Sequence, residues 1–102
     1  MKDHSVYALW DPATQAVKFG VTGRPIERRF AEIRREVPGV GLVFVLPKLT
    51  SDKAYRLEHE LHEACGGICG LTWARHPQSV EWFRWSQPAS HALAYLRSLA
   101  RT

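Results

Sequence analysis

Residues 6–30, VYALWDPATQAVKFGVTGRPIERRF, restrict the fold more than any other stretch, because two strands, a turn, a glycine break and a helix start follow one another in 25 positions. Val6, Tyr7, Ala8, Leu9 and Trp10 are β-branched, aromatic or aliphatic, Asp11-Pro12 is turn chemistry, and Ala16 to Val21 resumes the strand character, which reads as a hairpin. Thr22-Gly23-Arg24-Pro25 breaks the second strand, with Pro25 suited to a first helical position. Beyond it Ile26, Phe30, Ile33 and Val37 recur at about 100° per residue and predict a helix over residues 25–36.

The rest of the chain supports that unit. Pro38-Gly39-Val40-Gly41 ends the helix, and Leu42 to Leu46 is a continuous apolar run closed by Pro47, as expected of a buried third strand. Thr50, Ser51 or Asp52 caps a second helix that runs to about Cys65 and stops at Gly66-Gly67. Residues 68–79 have little periodicity and read as an irregular loop, and residues 80–85 as a short strand or extended edge. Pro88 opens a last helix with Ala89, Ala92, Leu93, Leu96 and Leu99 on its apolar face. The expected fold class is therefore α/β (α+β), a small three-stranded, largely antiparallel sheet flanked by three helices in a single domain over residues 1–102. At 102 residues the chain can bury a modest core without staples, and 45% hydrophobic residues argue against disorder. No segment reaches the roughly 20 apolar residues of a membrane span, and MKDHS lacks the apolar core of a signal peptide, so the expected address is cytoplasmic.

The formal charge is +4, and ten of the fourteen basic residues are arginine, which forks onto phosphate better than lysine does. Arg24, Arg28, Arg29, Arg34 and Arg35 cluster in or beside the first helix, with Arg28 and Arg35 pointing away from its apolar stripe. Such a face is either an anion-binding surface or a solvated one paired with Glu27, Glu32 and Glu36. On the second helix Ala54, Leu57, Leu61, Ala64 and Cys65 form the inward stripe, while Glu58 and, one turn later, His62 lie at its edge. A carboxylate and an imidazole so placed are either functional or a salt-bridged acid and a hydrogen-bonded core histidine. His59-Glu60-Leu61-His62 is not a zinc-protease helix, since its histidines are three apart rather than four. His62, Cys65, Cys69 and His76 could supply four zinc ligands, but in no common zinc spacing. Trp82 and Phe83 read as core packing for at least one of them, with stacking on bases as the alternative.

These residues resemble the GIY-YIG nucleases, in the phage and bacterial branch whose second motif reads Lys-(Ile/Phe)-Gly. Val6-Tyr7 stands for the first motif and Lys18-Phe19-Gly20 for the second. Thr22 follows at the family spacing, and Arg28 lies eight residues after Gly20, where the family keeps its arginine. Leu57-Glu58 with His62, and Glu81-Trp82-Phe83, match the later signatures, so the resemblance covers roughly residues 5–85. It implies hydrolysis of DNA phosphodiester bonds by a metal-dependent endonuclease. In that reading Glu58 holds Mg2+ or Mn2+, Arg28 stabilises the charged phosphate, Tyr7 or Lys18 activates the attacking water, and His62 assists as a proton carrier or orienting group. Thr22, Arg24, Arg29, Arg35 and Trp82 are the residues expected to contact double- or single-stranded DNA, with low specificity or specificity gained by homodimerisation. The alternative is a catalytically silent nucleic-acid-binding module using the same basic face. Two departures from the wider superfamily bear on chemistry: Lys18 replaces a tyrosine, and Glu32 stands four residues after Arg28, where histidine often sits.

Overall fold

The alternation along residues 4–22 is realised as an antiparallel hairpin of β1 (His4–Asp11) and β2 (Ala16–Thr22), in the computed structural model, which describes residues 2–65 and 82–101. Its turn is held by Asp11, whose Oδ1 accepts from the Ala13 amide at 3.1 Å and whose Oδ2 accepts from the Thr14 hydroxyl at 2.8 Å. This is the local side-chain bonding that makes aspartate a turn former. Gln15 closes the turn in the left-handed region, at φ 53°.

Helix α1 (Ile26–Glu36) follows β2 directly, with Pro25 flanking its start. Strand β3 (Gly41–Leu49), helix α2 (Ser51–Ala64), strand β4 (Trp82–Arg84) and helix α3 (Gln87–Leu99) complete the described chain. Side chains cap the two later helices: Thr50 accepts from the Lys53 amide and Ser86 from the Ala89 amide, each at 3.3 Å. The strands form one sheet in the order β3-β1-β2-β4, with every pairing antiparallel.

Two expectations about the sheet are corrected. It has four strands rather than three, because β4 pairs with the start of β2, Trp82 opposite Lys18 and Phe83 opposite Val17. A three-residue strand has too little periodicity of its own, so only the long-range pairing defines it. The third strand is also not a buried one. It lies at the sheet's edge, is half-buried along most of its length with Leu42 exposed, and runs through Pro47 to Leu49, as an edge tolerates a residue with no N–H to donate.

The pleat divides the sheet into two unlike faces. Val6, Ala8, Val17 and Phe19 point to one side, where Ala54, Leu57, Leu61 and Cys65 of α2 and Ala89, Ala92, Leu93 and Leu96 of α3 close the main core. Each fully buried leucine or phenylalanine there contributes on the order of 1.5–3 kcal/mol of transfer free energy. Tyr7, Leu9, Ala16 and Trp82 point to the other side, where, among the described residues, Ile33 of α1 with Val37 and Val40 just beyond it pack over them, flanked by Ile26 and Phe30. Among the described residues no helix is long and apolar enough to cross a membrane. Glu81, Cys69, His76 and the expected loop at 68–79 lie outside the described residues.

Candidate active site

Antiparallel register sets Tyr7 opposite Gly20, and the phenol ring of Tyr7 lies across that glycine. A β-carbon at position 20 would stand 2.5 Å from Tyr7 Cζ and closer still to Oη, so the glycine of the Lys-Phe-Gly motif is required by the ring above it rather than by backbone conformation. Tyr7 is 1% exposed. Lys18, two residues before Gly20, points to the same face as a diagonal neighbour of Tyr7 and is fully buried between the positions of Leu9 and Trp82.

Helix α1 brings charge to this face. Arg29 Nε donates to Tyr7 Oη at 3.3 Å, and Arg29 Nη1 donates to Glu32 Oε1 at 3.2 Å. Arg24 forks onto the same carboxylate, with Nη1 2.8 Å from Oε2 and Nη2 2.7 Å from Oε1. The Arg24 guanidinium first, and then Arg29, hold the Glu32 carboxyl below the usual carboxylate range. Thr22 fixes the connection that carries Arg24: its Oγ1 accepts from the Arg24 amide at 3.1 Å and donates to the Arg24 carbonyl at 3.3 Å. Tyr7, Thr22, Arg24, Arg29 and Glu32 thus form one connected polar network at the α1 face.

Arg28 is not part of it. The structure leaves Arg28, eight residues after Gly20, exposed and puts its neighbour Arg29 against the tyrosine. The reason is helical geometry: Arg29 precedes the buried Ile33 by four residues and so flanks the apolar stripe, while Arg28 lies across the helix from it. That signal was present in the stripe itself. Arg35 is likewise exposed on the far side of α1. Trp82 is corrected as well: it is 0% exposed and packed with Tyr7, Leu9 and Ile33, so it cannot stack on a base, whereas Trp85 is 42% exposed.

Glu58 and His62 sit where the edge of the α2 stripe predicts, half-buried, but α2 packs on the opposite face of the sheet from α1. His62 Nε2 lies 3.0 Å from the Phe19 carbonyl oxygen and its ring 5.1 Å from that of Phe83, so it donates to that carbonyl and ties α2 to β2. Among the described residues no group of three or more His, Cys, Asp or Glu could hold a metal ion. Magnesium is usually held by one or two carboxylates, with water and phosphate oxygens filling its octahedron. Glu58 is the residue that would supply that carboxylate. Cys65 is buried, and burial pushes its thiol up to about 11, while Cys69 and His76 lie outside the described residues. Comparisons with protein-family models, with curated proteins and with solved structures each returned no match for this chain.

Proposed function

We propose that this protein is a small metal-dependent endonuclease acting on DNA phosphodiester bonds, with its site on the α1 face of the hairpin. The observation that supports it is the Arg29–Tyr7 contact over Gly20, a guanidinium set beside a phenol hydroxyl on a rigid pair of strands. Phosphodiester hydrolysis needs an oriented water and fixed positive charge where the equatorial oxygens gain negative charge. Tyr7 is the group to orient or deprotonate the water, with Lys18 beside it on β2, and Arg29 rather than Arg28 is the group to meet the phosphate. His62, bonded to Phe19, serves as a tie between helix and strand. By the resemblance Glu58 is the residue to hold Mg2+ or Mn2+, and a bound cation would supply Lewis-acid charge to the phosphate; because α2 packs on the other face of the sheet from α1, Glu58→Gln also tests whether Glu58 acts with Tyr7 and Arg29. Exposed Arg28, Arg34 and Arg35 extend the basic surface along α1 for backbone contacts that carry little sequence information, and an address inside the cell belongs to the same reading.

A second reading, a binding module without catalysis, is favoured by the deep burial of Tyr7 and by the position of Glu58 on the helix that packs against the other face. The two differ in one assay on plasmid DNA. The nuclease nicks supercoiled plasmid only with Mg2+ or Mn2+, and Glu58→Gln retains gel-shift affinity while losing cleavage. A metal-indifferent shift with intact plasmid from the parent protein establishes the binding module instead.

A further inference from the structure

Glu32 receives three hydrogen bonds from two arginines that reach it from different parts of the chain. Arg24 belongs to the connection between β2 and α1, where its backbone is locked onto Thr22. Arg29 shares a face of α1 with Glu32, three residues away. The Arg29–Tyr7 bond, at 3.3 Å, is too long to fix a side chain with as many rotamers as arginine has. The guanidinium is planar, however, and holding it at Nη1 as well as at Nε fixes its plane and therefore the direction of its third nitrogen. The carboxylate also offsets positive charge where two guanidiniums converge on one oxygen, at 2.7 and 3.2 Å.

We infer that Glu32 is a positioning residue: it braces Arg29 against Tyr7, and Arg24 acts through Glu32 as the anchor of that brace instead of as an independent phosphate contact. The catalytic consequence rests on the nuclease reading, while the brace itself does not. A guanidinium that has lost this fixed point explores geometries further from the reacting phosphate, and displacement by about an ångström costs up to about a hundredfold in turnover.

The test uses the parent protein, Glu32→Gln, Glu32→Asp and Arg24→Ala. Turnover on plasmid DNA in Mg2+ is expected to fall between about tenfold and a hundredfold in Glu32→Gln and Arg24→Ala, with KM changed by less than about threefold and partial recovery in Glu32→Asp. The Arg24→Ala/Glu32→Gln double variant should lose no more than either single one, because both cut the same brace. A readout independent of cleavage is the exchange of the Arg29 Nε proton with water by NMR, its signal assigned by its disappearance in Arg29→Ala. It should be slow in the parent and faster in Glu32→Gln. Unchanged kcat in Glu32→Gln with a cleaving parent, or a gain in DNA affinity alone, overturns the brace and leaves the nuclease reading standing. A parent that does not cleave, whose Arg29 Nε proton still loses protection in Glu32→Gln, overturns the nuclease reading and leaves the brace.

Discussion

The two faces of the sheet are built from the same two strands yet differ in kind. On the α2–α3 side, alternate residues of β1 and β2 are valine, alanine and phenylalanine, and two helices seal them with leucine and alanine. On the α1 side the same strands present Tyr7 and Lys18, and the single helix over them brings Arg29 and Glu32 to the rim beside Ile33 and Val37. Where α2 and α3 lie over the strands the covered positions are hydrocarbon, and Glu58 and His62 stand half-buried at the edge of the α2 stripe. On the other face Tyr7 and Lys18 are themselves buried, and Arg29, partly exposed on the flank of α1, meets the Tyr7 hydroxyl with Glu32 beside it. The lesson is a division within one hairpin: its strands send hydrocarbon to one face and Tyr7 and Lys18 to the other, where Arg29 of α1 joins them.

That division can be broken from either side. The largest effect is expected from Leu61→Ala, which opens a cavity at a fully buried site between α2 and the sheet. It should cost about 2–5 kcal/mol, with the melting temperature falling by roughly 4–8 °C for each kcal/mol, while kcat measured well below the new melting point stays within about twofold. A comparable loss of turnover at that temperature would show that the two faces are not separable. The reverse experiment is Arg29→Ala, expected to lower kcat by about 10²–10³-fold, as removal of a transition-state donor does elsewhere, with only a minor change in melting temperature. Arg28→Ala, on the exposed side of the helix, should stay within a few-fold of the parent. Equal losses in the two variants would undo the choice of Arg29.

A smaller effect sharpens the contrast at high pH. Burial raises the Cys65 thiol from 9.0 to about 11, so the unfolded chain ionises first. The stability this burial provides is complete below pH 9 and is lost as pH rises towards 11, amounting to under about 1 kcal/mol at pH 9.5. A chemical-denaturation series from pH 8 to pH 10.5 should show this slope, and Cys65→Ala should remove it.

Much of this architecture could be read before any coordinates, and the reasons differ from element to element. The hairpin and α1 were legible because Asp11-Pro12 and Thr22 to Pro25 are turn and break signals flanking clear period-2 and period-3.6 patterns. The inward stripe of α2 appeared as expected at Ala54, Leu57, Leu61 and Cys65, and the face of α3 at Ala89, Ala92, Leu93 and Leu96. β4 is not legible as a full strand of the sheet, since three residues carry no period, and the edge position of β3 is not legible because apolar runs look alike at an edge and at a centre. At the candidate site, that Tyr7 and Lys18 stand as neighbours across a hairpin was legible, but the register that sets Tyr7 opposite Gly20 and the placing of Arg29 rather than Arg28 against the tyrosine came from the structure.

By itself, then, the sequence determined the hairpin, the three helices and most of the residues on each apolar stripe, though Ala64 of α2 is exposed, because these depend on neighbours within about one turn or one pleat. It also determined that Gly20 and Tyr7 belong to one unit. Only the tertiary structure decided which arginine meets the tyrosine, that Glu32 joins Arg24 to Arg29, that Trp82 is core, and that α2 packs on the other face from α1. Those facts depend on where a helix is docked, to within a fraction of a turn, against strands far away in the chain. That docking is set by the sum of many packing contacts, which no local pattern in the sequence records.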